Sequence, residues 1–341
     1  MDRSNPESLT CEGVEVRFGS LCAVDGATLS VAAGEIVALL GRSGSGKTTL
    51  LRAIAGFERA TAGEIRIGGN LIESPTTSIP AHRRSVGLVF QEYALFPNKN
   101  VAGNLAYGLG RGASERVEEL LRTGQLEGLA GRYPHQLSGG QQQRVALLRS
   151  LAPYPRVLLL DEPFSNLDAG LRLAMREEVA AILRAASMTA VLVTHDRADA
   201  MAIADRIAVM EAGRVIELAT PSDLYFRPAN AAAAGYGGEA QFLRGTGRGE
   251  TAETPLGAVT LANAFEGPCR LLLRPEWLAP GPGAPVTVVA RRFEGAHTRL
   301  TIRAQDGTLA AMTVDSTTPQ AADDHLCVTV RQPLPAYPPE A

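Results

Sequence analysis

Gly41-Arg42-Ser43-Gly44-Ser45-Gly46-Lys47-Thr48 follows the apolar run Glu35 to Leu40 and opens a helical run, Thr49 to Ala55. Strand, glycine-rich turn and helix form the context in which G-x-x-x-x-G-K-[ST] becomes a phosphate-binding P-loop. The glycines let successive backbone N–H groups turn inward around the β- and γ-phosphates, and the helix N-terminus adds a favourable dipole. Lys47 supplies a point charge, and Thr48 would place its hydroxyl on Mg²⁺. Lysine occurs only at Lys47 and Lys99, so a lysine-dependent motif is hard to meet by accident.

Around this loop, from about Val14 to Arg227, short β-rich apolar runs alternate with helical patterns, the signature of an α/β domain on a largely parallel sheet. Candidate core strands include Glu35 to Leu40, Val86 to Phe90, Val157 to Leu160 and Ala190 to Thr194. The last two are continuously apolar, as buried parallel strands are. Between Asn100 and Leu151 the pattern turns helical, clearest at Ser114 to Leu121 and Gln141 to Leu151, so a helical insertion is expected over about 98–152. Residues 228–238 are low in complexity and then Gly-rich, which suits a linker. The expected domains are therefore 8–238 and 239–341. In the second, Leu271 to Leu273, Val286 to Phe293, Thr298 to Ala304 and Cys327 to Arg331 are strand candidates divided by Gly, Pro and Asp-Gly turns, which predicts a small β barrel or sandwich.

Two further constellations bear on phosphate chemistry. Asp161 ends the strand Val157 to Leu160, so its carboxylate emerges at the C-terminal edge of the sheet, where open α/β sheets bind ligands. There it can hold Mg²⁺ through water, and the adjacent Glu162 is placed to polarise a water attacking the γ-phosphate. Leu137-Ser138-Gly139-Gly140-Gln141 opens another helix, and Ser138 with Gln141 has capping-box spacing. Capping does not explain two glycines in a first turn, where each costs on the order of 1 kcal/mol relative to Ala. Bare backbone beside a helix N-terminus suits close approach to a phosphate.

Composition narrows the class. The chain's 341 residues suffice for two domains. With 33 Lys+Arg against 36 Asp+Glu and a formal charge of −3, no basic excess exists to hold nucleic acid by counterion release. Cys11, Cys22, Cys269 and Cys327 are too dispersed for paired metal-ligand spacing and suit a reducing compartment. The first residues lack the apolar segment of a secretory signal, and no run reaches the ~18 to 20 apolar residues of a membrane span. The expectation is a cytosolic chain that meets a membrane only through partners.

Taken in order, the P-loop, Gln91 after a strand, the Leu137 to Gln141 segment, Asp161-Glu162, Ser165-Asn166-Leu167-Asp168 and Thr194-His195-Asp196 resemble the nucleotide-binding subunits of ABC transporters. The resemblance implies a P-loop NTPase core with a helical insertion and an ATP–Mg²⁺ site shared by two copies of the chain. On one copy, Phe18, Gly41, Arg42, Ser43, Gly44, Ser45, Gly46, Lys47, Thr48 and Thr49 would touch ATP. From the opposite copy, Ser138, Gly139, Gly140, Gln141 and Asp168 would close over it. Thr48, Gln91 and Asp161 would hold Mg²⁺, with Glu162, His195 and Gln91 as the hydrolytic groups. Phe18 is similar to the aromatic that stacks on adenine, although a lone Phe there reads equally as core. Glu92 to Pro97 is similar to the groove for a permease's coupling helix. Gly103 stands where the family usually has an acidic residue, and Arg42 where proline is frequent.

Closer likeness, at Ala55 to Glu58, Asn104 to Gly110, Ala130 to His135 and Ala204 to Met210, is to the ferric-ion import ATPases. It continues at Leu271 to Glu276 and Ala296 to Thr298, which resemble that subfamily's OB-like C-terminal regulatory β domain. The partners implied are membrane permease subunits and a periplasmic iron-binding protein, with the ATPase peripheral on the cytoplasmic face of the inner membrane. Sulfate, phosphonate, polyamine and sugar importers share most of these motifs. A soluble ABC ATPase would usually carry a coiled-coil insert or a second cassette, and neither is present.

Overall fold

In the computed structural model, which describes residues 7–110, 113–165, 167, 169–318 and 325–339, the chain falls into two units, Met1–Pro221 and Ser222–Ala341. Along the first run β1 (Leu9–Phe18), β2 (Leu21–Val31), β3 (Ile36–Leu40), α1 (Lys47–Ala55), β4 (Ala62–Ile67), β5 (Asn70–Glu73) and β6 (Val86–Val89). After them come α2 (Val101–Leu105), α3 (Ser114–Thr123), α4 (Gly139–Leu151), β7 (Val157–Asp161), α5 (Ala169–Ala185), β8 (Thr189–Thr194), α6 (Arg197–Ile203), β9 (Arg206–Glu211) and β10 (Arg214–Ala219).

One sheet has the order β10-β9-β3-β8-β7-β6. Its neighbours are parallel except β10, which turns back antiparallel on β9. The central strands are buried, β3 and β8 at every residue and β7 and β9 along their interiors, because both faces are covered, whereas β6 and β10 at the sheet's edges are only partly buried. Side chains alternate across the sheet: Leu158, Leu160, Ala190 and Leu192 join the core made with α4 and α5. Val157, Leu159, Val191 and Val193 join the one made with α1 and a second sheet.

That second sheet, β2-β1-β4-β5, is antiparallel and stands apart from the largely parallel sheet that the sequence predicts. Residues 98–152 carry helices and no strand among those described, with Leu105, Leu120 and Leu126 packed in the same core as Leu147 and Leu148 of α4.

The second unit holds α7 (Pro221–Phe226), whose first residue closes the first unit, then α8 (Ala234–Gly237), β11 (Gln241–Thr254), β12 (Gly257–Leu273), β13 (Leu278–Phe293), β14 (His297–Arg303), β15 (Leu309–Asp315), β16 (His325–Val330) and β17 (Ala336–Tyr337). They form two antiparallel sheets, β11-β12-β17 and β15-β14-β13-β16. The division falls after Pro221, whereas composition places it at 238/239. The difference has a visible cause. Arg274 is fully buried and donates to the carbonyls of Tyr225, Ala234 and Glu239, and Phe226 stacks on Trp277 at 6.1 Å. The alanine-rich stretch is low in complexity because small residues such as Ala233 and Ala234 are buried, not because it is a spacer. All four cysteines are free, and burial pushes the Cys11 thiol up to about 12.

Candidate nucleotide site

Register sets the site. Leu40 pairs with Thr194, Asp161 with Val193, and Val89 with Leu160. The residues that leave β3, β8, β7 and β6 therefore emerge side by side at one edge: Gly41, His195, Glu162 and, two positions after β6, Gln91.

The loop after β3 needs its glycines. A Cβ on Gly41 would lie 2.3 Å from the Met210 carbonyl oxygen. One on Gly46, at φ +99°, would lie 2.3 Å from that of Ala23. The Ser45 carbonyl accepts from Gly213 N–H at 3.0 Å, pinning the loop to the turn between β9 and β10. Lys47 begins α1 and is buried, its Nζ donating to the carbonyls of Gly41 (2.8 Å) and Arg42 (2.9 Å). An ammonium has three N–H donors, so one remains for a ligand. Burial lowers the Lys47 pKa, and the carboxylates of Glu162 and Asp161 work against that.

Thr48 Oγ1 donates to Asp161 Oδ1 at 3.2 Å. Burial raises the Asp161 pKa despite this hydrogen bond, and the charge of Glu162 adds to the rise. Glu162 has φ +45°, a left-handed conformation costing about 1–2 kcal/mol for a non-glycine residue. Its N–H donates to the Val193 carbonyl at 3.0 Å, and the Ser165 hydroxyl donates to its carbonyl at 3.0 Å. This sharp turn directs the carboxylate so that Oε2 lies 3.1 Å from His195 Nδ1. Strain held at a strand end by surrounding bonds is characteristic of working sites.

Phe18, Ser43, Gly44, Gly46, Lys47, Thr48, Thr49 and Glu162 share a cleft of about 570 Å³. Phe18 is 46 % exposed on its wall, which disposes of the core reading. Sequence reasoning missed the rest of that wall: Leu21, Cys22 and Ala23 from the start of β2, and Ala212 with Gly213 from the turn between β9 and β10. Only Gly213, a turn glycine at φ +83°, carries a local signal.

Other expected site residues stand apart from this cleft. Gln91 is exposed beyond β6 and does not line it. Ser138 caps α4, its Oγ accepting from Gln141 N–H at 3.3 Å while Gln141 Oε1 accepts from Ser138 N–H at 2.9 Å, so the capping box is present. None of Ser138, Gly139, Gly140 or Gln141 lines the cleft. Among the described residues a Cβ on Gly139 would meet only Leu167 Cδ2, at an ordinary 3.5 Å. Asp168 lies outside the described residues.

Comparison with known proteins gives the family. The family described as ABC transporter matches residues 24–165. The chain is 44 % identical over 273 residues, 79 % of itself and 76 % of the relative, to the Fe(3+) ions import ATP-binding protein FbpC of Mesorhizobium japonicum. It is 46 % identical over 313 residues, 87 % of itself and 84 % of the relative, to the sulfate/thiosulfate import ATP-binding protein CysA 2 of Chromobacterium violaceum. Among solved structures, a dimeric post-hydrolysis state of the ATP-binding cassette MJ0796 bound to ADP and Pi superposes with a TM-score of 0.53 at 30 % identity, covering 62 % of this chain and 98 % of that one. No helix among the described residues is long and apolar enough to cross a membrane. The chain belongs to the ABC transporter family, among its ATP-hydrolysing, nucleotide-binding members.

Proposed function

We propose that this chain hydrolyses ATP to drive the import of ferric iron, as one half of a homodimer docked on membrane permease subunits that receive iron from a periplasmic binding protein. Its place is then the cytoplasmic face of the inner membrane. The observation that carries the ATPase reading is convergence: Lys47, with a donor left over, Thr48 and Glu162 line one cleft walled by Phe18, and behind them Asp161 holds Thr48 and His195 meets Glu162.

The donor set fits Mg²⁺ with ATP. Thr48 and Asp161 offer two hard oxygens, and no cluster of three or more His, Cys, Asp or Glu among the described residues could hold a metal alone. A cation that prefers oxygen and shares its shell with phosphates and water suits that arrangement. Bound there, Mg²⁺ would neutralise charge on the phosphates. The Lys47 ammonium and the P-loop N–H groups hold the phosphates, and Phe18 offers its ring to the base. The Glu162 carboxylate accepts the proton of the attacking water, while His195 fixes the position of that carboxylate and Gln91 swings in from the β6 edge to orient the water. Ser138 to Gln141 and Asp168 would come from the second copy. Nothing among the described residues requires glycine at Gly139, which supports a demand from outside the chain.

The iron reading rests on likeness to the iron-import relatives, and the sulfate/thiosulfate relative keeps a second cargo in view. A strain lacking this gene should lose uptake of radiolabelled Fe³⁺ and keep sulfate uptake, with Fe³⁺ uptake restored by the wild-type gene and not by its Glu162→Gln variant. Loss of sulfate uptake with iron uptake intact would reverse the assignment.

A further inference from the structure

Arg172 stands in the first turn of α5, and its hydrogen-bond partners are not among the cleft residues named above. Its Nη1 donates to Asp196 Oδ2 at 3.1 Å, and its Nη2 donates to the Leu167 carbonyl at 3.1 Å. Asp196 follows His195, and Leu167 precedes Asp168. One planar guanidinium therefore spans the two segments that carry these residues, which belong to different strand-to-helix connections.

The loop of His195 has other braces besides the His195–Glu162 contact at 3.1 Å. Arg176, one turn further along α5, reaches Asp196 Oδ2 (3.2 Å) and Asp199 Oδ1. Thr194 Oγ1 donates to Asp199 Oδ2 at 3.0 Å and accepts from Asp196 N–H at 2.9 Å. Ala198 N–H donates to Asp196 Oδ1 at 2.7 Å. Every one of these other braces stays within α5 and residues 194–199. Arg172 alone among them extends the brace to Leu167.

We propose that Arg172 is a positioning residue for ATP hydrolysis: it fastens the segment leading to Asp168 to the loop carrying His195, so that the two move as one piece when the site assembles. The proposal rests on the reading of Glu162 and His195 as hydrolytic groups. Since His195 Nδ1 sits 3.1 Å from Glu162 Oε2, slack in that loop loosens the carboxylate that must meet water. Neither end of the Arg172 bridge lines the nucleotide cleft, so nucleotide binding should be spared. A lysine cannot replace the fork, because a point charge on a flexible stem reaches one acceptor well and two from a fixed plane poorly.

The test uses the full-length chain as wild type, Arg172→Gln, Arg172→Lys, Arg176→Gln and Glu162→Gln, with kcat, KM for ATP, affinity for a fluorescent ATP analogue and melting temperature measured for each. Both Arg172 variants should lose kcat by about tenfold or more, as misplaced catalytic geometry does, with KM and analogue affinity near wild type. Arg176 is the less exposed of the two arginines, at 12 % against 27 %, so Arg176→Gln should lower the melting temperature more and kcat less. Wild-type kcat in Arg172→Gln would overturn the proposal, as would a fall in kcat that merely tracks melting temperature across the arginine variants. Should Arg172→Gln fail to fold, Arg172→Lys decides alone. Turnover retained in Glu162→Gln would instead overturn the site reading beneath it.

Discussion

Gly139→Ala separates what the chain needs from what its partner needs. Gly139 is the first residue of α4, is absent from the residues of positive φ, and has room for a Cβ, which would touch Leu167 Cδ2 at 3.5 Å. Alanine there removes backbone freedom from the unfolded chain and adds helix propensity, together worth about 0.5–1 kcal/mol of stabilisation. For a unit of this size that raises the melting temperature by about 1–4 °C. If the opposite copy's ATP approaches this backbone, the added methyl holds the phosphate off by roughly an ångström, and displacement on that scale costs on the order of 10²-fold in rate. The assay is differential scanning fluorimetry beside steady-state ATP hydrolysis at saturating ATP. A more stable, nearly inactive protein is expected. A variant with full activity would refute the argument that the glycine serves the second copy, and a destabilised one would show that the chain itself requires it.

Glu162→Gln should bind ATP normally and fail to hydrolyse it, since an amide cannot take the proton of water; with ATP and Mg²⁺ it should elute as a stable dimer in size-exclusion chromatography, and a monomer there would count against the shared site. Asp161→Asn should raise the melting temperature of the nucleotide-free protein at neutral pH while abolishing Mg²⁺-dependent hydrolysis. The sign follows from burial: the Asp161 carboxyl titrates above its ordinary value, so its charge destabilises the fold once ionised, and the gain from asparagine should shrink as pH falls through that titration. A lower melting temperature for Asp161→Asn at neutral pH would contradict this.

What was legible in the sequence was what backbone and burial dictate locally. The P-loop reads directly because a Cβ on Gly41 or Gly46 would lie 2.3 Å from a carbonyl oxygen of another segment, and β7 and β8 read because both their faces are covered. The sheet of β1, β2, β4 and β5 did not read, because its alternation is broken where the register of β1 shifts, between Cys11 and Val14 against β2 and between Glu12 and Glu15 against β4. Strand β11 was hidden by its own glycines. Gly247 looks like a turn residue, yet it lies in a strand where a Cβ would come within 2.5 Å of the Phe265 carbonyl oxygen. Around the nucleotide, residues with distinctive chemistry could be named in advance. The Leu21 to Ala23 wall could not, since ordinary apolar residues become cleft-lining only through the fold.

Whether two copies share each ATP is open to one decisive mixture. Lys47→Ala removes the phosphate counter-charge, and Gly139→Asp sets a carboxylate against the γ-phosphate, so each homodimer should be inactive. A mixed dimer with shared sites gathers both defects at one ATP and leaves the other site whole. Single-turnover hydrolysis should then reappear in mixed dimers verified by mass or cross-linking, and in a linked dimer carrying both substitutions in one arrangement only: Lys47→Ala in one half and Gly139→Asp in the other. Hydrolysis restored instead when both substitutions lie in the same half, with none in the split arrangement, would place Gly139 against the ATP of its own chain and contradict the account.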